Sequence, residues 1–439
     1  MSKLRRLSAL ALARAMLAEA DRTAPALRTR MARCLAADPA WLALLSERCA
    51  AQLMATPQLS VRRLAVLIAT DPDFEPSPPR HYLLSLAQEQ ASPPPPALAH
   101  CALPALPHSA ALAEFLGISD AGLRRLSRPS AWQRREPLVE QHYRCRLLAK
   151  RSGGWRLLEV PEPYLMALQR RVLVGLLDRL PPHPAACGFA PGRSVLDHAR
   201  AHEGQAVVLS FDLQDFFASV RASRVQALFA TLGYPDEVAR LLSALCCSAT
   251  PEPVLSRLRQ EGGLSWLQCQ RLRDAHLPQG APSSPALANL CAFGLDRRLA
   301  GLAHALGARY SRYADDLVLS GPASLQAAWP RIEAWVGRIA IEQGFALNHR
   351  KTRCQAQSRR QSVCHIVVNQ RSNLARTEFD RLKAQLHGCV RHGPASQNRE
   401  GHADWQAHLR GRLAWATQLN AQKAQRLWRL YEQIDWTAT

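Results

Sequence analysis

The chain has 439 residues, 47% of them apolar, which is enough for two or three domains with a sizeable core. Its 56 Lys and Arg residues against 35 Asp and Glu residues give a formal net charge of +21, which favours a polyanionic partner such as nucleic acid. No apolar run reaches transmembrane length, so we expect no membrane partner.

The N-terminal part of the sequence, to about residue 90, predicts helices throughout. Residues 3–20 begin basic and then become apolar, as a signal peptide does, but charged residues interrupt the apolar part and favour an amphipathic helix. Asp38-Pro39 predicts the N-cap and first turn of a helix that runs to about Ala55. Ser60 predicts the start of another, from Val61 to Ala69. The run Ser92-Pro-Pro-Pro-Pro96 indicates an extended linker.

The twelve cysteines form no Cys-x-x-Cys pair, so we expect no structural zinc. Cys246 and Cys247 are adjacent and unsuited to a simple bridge. We interpret the cysteines as buried, reduced thiols of a cytoplasmic protein.

Two adjacent acids, Asp315 and Asp316, lie within an apolar and aromatic segment, 308–321, that predicts two strands joined by a tight turn. Neighbouring carboxylates repel each other, and such a pair is easiest to explain if a divalent cation such as Mg²⁺ offsets the charge. A polar hairpin turn is the alternative interpretation, because Asp is common in turns.

A third acid, Asp212, ends the apolar segment 206–212, which predicts a buried strand that delivers a carboxylate to its end. If Asp212 meets Asp315 and Asp316 in space, the three acids would hold two metal ions. Two metals clamp the attacking and leaving oxygens of an in-line phosphoryl displacement, so that catalysis is positioning plus charge neutralisation.

Several segments occur in the order and style of a bacterial reverse transcriptase, and the chain most resembles the retron-type branch. The matching segments lie between His142 and Trp436. They are Phe-Asp-Leu-Gln-Asp-Phe-Phe (211–217), Leu-Pro-Gln-Gly-Ala-Pro-Ser-Ser-Pro (277–285), Tyr-Ala-Asp-Asp (313–316), Gly-Phe-Ala-Pro-Gly-Arg-Ser (188–194) and Val-Cys-His-Ile-Val-Val-Asn (363–369).

Two of these regions depart from the retron pattern. The family's Asn-Ala-x-x-His motif has His198 in place of Asn, although Ala199 and His202 are kept. Cys364 and His365 replace the usual Thr and Gly. In the family, both regions are thought to hold the enzyme's own structured RNA.

The resemblance implies an α+β, right-hand polymerase fold with fingers, a palm containing an antiparallel sheet and a helical thumb, preceded by an all-helical N-terminal extension. We predict the extension with its Pro-rich linkers over residues 1–105, fingers and palm over 106–345, and a thumb that binds RNA and hybrid over 346–439. Residues 250–274 carry no recognisable motif and are interpreted as a family-variable insertion.

The resemblance also assigns roles to individual residues. Asp212, Asp315 and Asp316 match the metal-binding aspartates of catalysis, with two Mg²⁺ ions as cofactor and Mn²⁺ as a substitute. Lys351 matches a catalytic lysine that protonates the leaving pyrophosphate. The predicted nucleotide-binding residues are Arg156 at the triphosphate, Phe217 under the incoming sugar and Gln279. Phe216 is expected in the core, because neighbours on a strand face opposite ways.

Five residues are predicted to bind RNA, three of them near the start of a helix expected over 375–390: Arg193, His202, Arg376, Arg381 and Lys383.

The function that the resemblance implies is RNA-directed DNA synthesis from a cognate non-coding RNA, using deoxynucleoside triphosphates and yielding an RNA–DNA hybrid. Retron systems commonly serve anti-phage defence, often with a separate effector protein. Three alternatives stay open: another defence-associated reverse transcriptase, a group II intron-like enzyme, and a non-catalytic RNA-binding scaffold on a polymerase fold.

Overall fold

The computed structural model describes residues 2–18, 21–56, 59–77, 96–128, 142–149, 155–262 and 264–437. The chain divides into two compact units. One consists of Met1–Arg128 with Gln226–Leu245, and the other of Pro129–Val225 with Cys246–Thr439. The boundaries at residues 105 and 345 remain predictions. The predicted linker at 92–96 lies almost wholly outside the described residues.

The first unit is helical in its described residues. Its N-terminal helices are α1 (Lys3–Met16), α2 (Ala24–Leu35), α3 (Trp41–Ala55), α4 (Val61–Thr70), α5 (Ser109–Leu116) and α6 (Asp120–Leu126). Leu12, Leu27, Leu42 and Leu64, one from each of the first four helices, are fully buried in one apolar core. The predicted helical extension, including the amphipathic first helix, is therefore confirmed over the described N-terminal residues.

The two predicted helix starts had different outcomes. Ser60 is the N-cap of α4, and its hydroxyl accepts a hydrogen bond from the Arg63 N–H at 3.4 Å, as predicted. Asp38 does not cap α3, which begins at Trp41. Its carboxylate instead accepts a hydrogen bond from Arg28 Nε at 3.0 Å, so a tertiary ion pair replaces the local cap.

The second unit begins with an antiparallel hairpin and the helices that follow it. These elements are β1 (Tyr143–Ala149), β2 (Trp155–Pro161), α7 (Pro163–Gly175) and α8 (Val195–Arg200).

A four-stranded antiparallel sheet forms the centre of the second unit. Its strands are β3 (Val207–Asp212), β4 (Arg309–Tyr313), β5 (Asp316–Gly321) and β6 (Arg353–Ala356), in the spatial order β4-β5-β3-β6. β3 is buried except at Ser210, as expected of a central strand that is covered on both faces. The strands predicted at 206–212 and within 308–321 are confirmed.

Further helices and one small hairpin complete the described chain. They are α9 (Phe216–Ser219), α10 (Ala222–Thr231), α11 (Asp236–Cys246), α12 (Glu252–Gly262), α13 (Trp266–Arg273), α14 (Ser284–Cys291), α15 (Phe293–Ala305), α16 (Ser324–Ala327), α17 (Trp329–Glu342), β7 (Ser362–Val363), β8 (Ile366–Val367), α18 (Arg376–His392), α19 (Trp405–Leu419) and α20 (Ala421–Tyr431). Residues 250–274, which had no recognisable motif, form α12 and α13.

Helices α18, α19 and α20 pack around an apolar cluster that includes Leu386, Leu413 and Leu427, each fully buried. The helix predicted over 375–390 is confirmed as α18, and the alternation of buried Leu382 and Leu386 with exposed basic residues explains its amphipathic pattern. Within the described residues, no helix is long and apolar enough to span a bilayer.

Candidate active site

The three acids singled out in the sequence meet at one edge of the central sheet. β4 and β5 are joined by a tight turn in which Ala314 has a positive φ of 56°, and Asp316 begins β5. Asp212, the last residue of β3, pairs directly with Asp316 across the sheet. The backbone N–H of Leu213 donates to the carbonyl of Asp315 at 2.9 Å, which ties the turn to the end of β3.

Lys351 adds a positive charge at this edge. It lies in a short 3-10 turn, His349–Lys351, and its ammonium donates to both carboxylate oxygens of Asp212, with 3.2 Å to Oδ2. Partial burial lowers the pKa of Lys351, but the hydrogen bond and charge of Asp212 outweigh that effect, and the pKa is raised. The side chain is therefore a charged ammonium at neutral pH, and it offsets part of the acidic charge.

The carboxylates beside Asp212 are less well compensated. Burial, reinforced by the charges of Asp316 and Asp212, raises the pKa of Asp315 to about 6. Desolvation by the surrounding protein also raises the pKa of Asp316, and the Cys364 thiol opposes this by donating to Oδ2 at 3.4 Å. The site thus holds more negative charge than the described protein groups neutralise, and an added cation would favour the ionised carboxylates.

A buried ion pair supports the tight turn between β4 and β5. Arg312 on β4 and Asp296 on α15 are both fully buried, with 2.8 Å from Nε to Oδ1 and 2.6 Å from Nη2 to Oδ2. Arg312 Nη1 also donates to the Ala314 carbonyl and to Asn289 Oδ1, each at 3.0 Å. One guanidinium therefore joins two helices to the backbone of the acidic turn.

Gly188 lies directly against the same turn. A Cβ on this residue would lie 2.7 Å from the backbone nitrogen of Ala314, so the close approach requires glycine. The next residue, Phe189, packs on Tyr313 with 6.4 Å between ring centroids and on Phe217 with 5.9 Å. The Gly-Phe segment and the acidic turn, distant in sequence, form one surface with Phe217.

A buried histidine–serine chain lies behind the turn. His202 Nδ1 is 2.6 Å from Ser320 Oγ, its Nε2 is 2.8 Å from Ser311 Oγ, and Ser311 Oγ is 2.6 Å from His198 Nδ1. Both histidines are fully buried. His198 also packs on the Tyr313 ring, with 6.1 Å between centroids.

The predicted direct contact of His202 with RNA is therefore wrong for this structure. A fully buried ring whose two nitrogens already have protein partners has no atom left for RNA. Burial, with smaller contributions from Arg312 and Arg309 among the neighbours, lowers the pKa of His198 to about 4 and that of His202 to about 3. Both rings are neutral at neutral pH.

The family comparison connects this geometry to known proteins. Residues 148–371, just over half of the chain, match the family model described as reverse transcriptase (RNA-dependent DNA polymerase). The retron Mx65 reverse transcriptase of Myxococcus xanthus is 42% identical over 339 residues, which cover 75% of this chain and 72% of that protein. The chain belongs to the reverse transcriptase family.

Further relatives place it in the retron branch. The retron Mx162 reverse transcriptase of Myxococcus xanthus is 36% identical over 65% of this chain and 60% of its own length. The retron Ec86 reverse transcriptase of Escherichia coli is 32% identical over 56% of this chain and 69% of its own length. The chain is a retron-type reverse transcriptase with a right-hand polymerase fold, and its enzyme class is RNA-directed DNA polymerase.

Reverse transcriptase domains generally use divalent metals such as Mg²⁺. Among the residues that the structure describes, no group of three or more His, Cys, Asp or Glu side chains is arranged so that it could hold a metal ion. The chemistry of the donors nevertheless fits a hard cation. Asp212 and Asp315 offer carboxylate oxygens, and a bound cation would oppose the burial and the neighbouring carboxylates that raise the pKa of Asp315.

The reverse transcriptase's predicted nucleotide-binding residues lie on different elements. Arg156 is exposed on β2, opposite Leu148 of β1. Gln279 is half-buried, and its carbonyl accepts a hydrogen bond from the Glu159 N–H at 2.9 Å, which ties it to the same strand. The following Gly280 has a φ of +136°, and a Cβ there would lie 2.9 Å from the Glu159 carbonyl oxygen.

Phe217 and Phe216 lie on the helical turn α9 and not on a strand, so the alternation argument for their orientation is wrong. The expected outcome still holds for Phe216, which is buried and stacks on Phe345 with 5.5 Å between centroids. Phe217 is half-buried, with part of its ring accessible.

The remaining predicted RNA-binding side chains are exposed. Arg193 precedes α8, and Arg376, Arg381 and Lys383 lie on α18. Arg376 has a long ion pair to Asp380, at 3.6 Å, and Arg381 one to Glu400, at 3.8 Å. Such pairs are weak at a surface and leave the guanidinium groups accessible to a polyanion.

Sequence reasoning missed the residues that support the site. Asp296, Asn289 and the two serines of the histidine chain have no local signature, because their partners lie on other elements. The arginine before Tyr313 carried one usable signal. An arginine one residue before the predicted turn, opposite a strand that contains the apolar run Leu-Val-Leu (317–319), predicts a buried partner.

Proposed function

We propose that this reverse transcriptase copies a cognate structured non-coding RNA into DNA and yields an RNA–DNA hybrid molecule. The single observation that carries the proposal is the convergence of Asp212, Asp315 and Asp316 at one sheet edge of a retron-type chain. Template RNA and deoxynucleoside triphosphates are the substrates with which retron reverse transcriptases work.

In this proposal Asp212, Asp315 and Asp316 hold two Mg²⁺ ions, with Mn²⁺ as a substitute. When bound, the ions would neutralise phosphate charge and activate the attacking hydroxyl. Lys351, already charged and within reach of Asp212, is the proposed proton donor to the leaving pyrophosphate. The high pKa of its ammonium keeps the proton available throughout the physiological range.

The nucleotide site extends from these acids to Phe217, Gln279 and Arg156. The accessible part of the Phe217 ring would lie under the incoming sugar and clash with a ribose 2′-hydroxyl, which favours deoxynucleotides. Gln279 would contact the nucleotide and template. Arg156, exposed on its hairpin, would contact the triphosphate as a charged donor.

Arg193, Arg376, Arg381 and Lys383 would hold the RNA and the hybrid through phosphate contacts. The exposed basic side chains of α18 and the net charge of +21 support this surface. Shape and backbone recognition suits A-form duplexes, whose deep major groove side chains cannot read. We further propose that the protein acts in the cytoplasm, in anti-phage defence together with a separate effector protein. The twelve free cysteine thiols support the cytoplasmic location, where thiols stay reduced.

The test of this function has two parts. Nucleic acid bound to the protein purified from its host is extracted and digested separately with ribonuclease and deoxyribonuclease. A covalent RNA–DNA species supports the retron function. RNA alone would favour a binding scaffold, and long repetitive DNA would favour another defence polymerase.

The second part tests the site. Asp315→Ala combined with Asp316→Ala should abolish DNA synthesis while RNA stays bound at low salt. Asp178→Ala is the matched control, because Asp178 is an exposed acid on a short turn of the same unit, Leu177–Arg179. Undiminished synthesis by the double variant would refute the site assignment.

A further inference from the structure

Helix α13 grips an acid beside the active site. Gln268 Nε2 donates to Asp215 Oδ2 at 3.1 Å and lies 3.4 Å from Oδ1. Arg271 Nη1 approaches Asp215 Oδ2 at 3.4 Å, and the Arg271 side chain is only 11% exposed. Two donors from one helix thus converge on a single carboxylate that follows the strand end carrying Asp212.

Asp215 has an uncommon backbone conformation. Its φ is +49°, in the left-handed region that residues other than glycine, asparagine and aspartate seldom adopt. Its carbonyl accepts a hydrogen bond from the Ser219 N–H at 2.8 Å and so opens the turn α9. Left-handed residues persist where surrounding contacts hold them. The grip of α13 is such a contact, and Phe217 follows two positions later.

Gln268 has two roles at once. Its side-chain Oε1 accepts a hydrogen bond from the Ser265 backbone N–H at 3.1 Å, and its backbone N–H donates to Ser265 Oγ at 3.3 Å. These two hydrogen bonds form a capping box at the start of α13. The amide nitrogen is left to donate to Asp215. The cap fixes the amide's orientation, so the Asp215 contact is built into the start of the helix.

We propose that Gln268 and Arg271 are positioning residues for sugar selection: through Asp215 they hold α9 so that the Phe217 ring keeps its place under the incoming nucleotide. This inference rests on the proposed role of Phe217. In this proposal neither residue contacts the substrate. They act by holding the Asp215 backbone in its left-handed conformation. Without both hydrogen bonds to the Asp215 carboxylate, the backbone would relax and the Phe217 ring would move.

The ratio of ribonucleotide to deoxynucleotide incorporation by the full-length chain, measured on a primed RNA template with Mg²⁺, tests this proposal. The double variant Gln268→Ala with Arg271→Ala should raise the ratio about tenfold, since a displacement of well under about 1 Å is expected and a full 1 Å misplacement of reacting groups costs roughly hundredfold in rate. Arg273→Ala is the matched control, because Arg273 lies on the same helix but donates to Glu252 at 2.9 Å. Its ratio should equal that of the wild type.

Two further variants keep the test decisive if the double variant folds poorly. Asp215→Asn retains an acceptor and tolerates the left-handed conformation, so it should give a smaller rise than Asp215→Ala. Arg271→Lys retains the charge and should restore most of the selectivity. A rise in Asp215→Ala that equals that in Asp215→Asn would overturn the proposal, as would an Arg271→Lys variant no more selective than Arg271→Ala.

Phe217→Ala separates failure of this inference from failure of the proposed function. If Phe217→Ala raises ribonucleotide use but the α13 variants leave the ratio unchanged, the grip does not position the ring. If the α13 variants slow both nucleotide classes equally, their role is structural only and the proposal fails. If Phe217→Ala leaves the ratio unchanged while DNA synthesis persists, Phe217 is not the selecting residue and the inference falls with it.

Discussion

Replacing Asp296 with asparagine should destabilise the second unit strongly, because it leaves the fully buried Arg312 guanidinium without its counter-charge. Breaking a buried pair by removing one partner costs about 3–5 kcal/mol. The variant also weakens the hydrogen bond from the Tyr310 hydroxyl to Asp296 Oδ1, now 2.8 Å. The factor of about 2–4 °C per kcal/mol applies to domains of roughly 150–250 residues and is an upper limit for this larger unit, so the melting temperature should fall by at most roughly 6–20 °C.

The assay is thermal denaturation of the wild type and variant at equal concentration, together with DNA synthesis below both transitions. Asp380→Asn is the control, because it removes an exposed ion pair to Arg376 at 3.6 Å and should leave the melting temperature nearly unchanged. A second variant, Asp296→Leu with Arg312→Met, replaces the pair by apolar groups and should recover much of the stability.

The double replacement separates stability from function. It removes the hydrogen bond from Arg312 to the Ala314 carbonyl, so the acidic turn loses its support even where the unit is stable. DNA synthesis should therefore stay low in both variants. A single Asp296→Asn variant that melts within about 1 °C of the wild type would refute the reasoning, as would a stable double variant with full synthesis.

Three further predictions follow from charge. The folded-state pKa values of about 4 for His198 and about 3 for His202 lie below that of unfolded histidine. The contribution of the two neutral rings to the free energy of unfolding is therefore present above about pH 6.5 and is lost as the pH falls. The expected loss is about 2 kcal/mol for each ring between pH 6.5 and 5. Urea titrations across that range should show the loss, and His198→Asn should roughly halve it, because His202 keeps its own share. The pKa of Asp315, raised to about 6, has the opposite sign: its contribution is present below about pH 4 and lost above 6, so Asp315→Asn should stabilise the metal-free protein at pH 8 by about 1–3 kcal/mol while abolishing synthesis. A destabilised variant would contradict this. Finally, changing Arg376, Arg381 and Lys383 to glutamine should reduce the salt dependence of RNA binding by about one unit of slope for each phosphate that the protein no longer neutralises, whereas Arg338→Gln, an exposed arginine on α17, should leave the slope unchanged.

Local chemistry explains what could be predicted about the elements. Ser60 caps α4 because a cap needs only residues three positions apart, and α18 was predicted because its apolar positions repeat with the helical period. Asp38 failed for the opposite reason. Its carboxylate had a competing partner, Arg28, on the preceding helix, and a local rule takes no account of such a competitor.

The same division applies to the site. The acids of the turn and the strand end were predictable because strand and turn patterns place them locally. Their supports were not predictable. Arg312 needs Asp296, Ser311 needs two histidines, and Asp215 needs α13, and each of these pairings exists only after the chain has folded.

The two departures from the retron pattern contact opposite ends of one active-site segment, Tyr-Ala-Asp-Asp (313–316). His198, in place of the usual asparagine, packs on the Tyr313 ring and reaches β4 through Ser311. Cys364 lies in the tight turn between β7 and β8 and donates to Asp316, at the other end of the segment. Cys364 and His365 both have positive φ, of 45° and 68°, so a histidine occupies a conformation that suits the usual glycine better. His198 is buried, and Cys364 contacts the acid Asp316. We therefore expect substitutions at these two positions to change the rate of nucleotide addition more than the affinity for RNA.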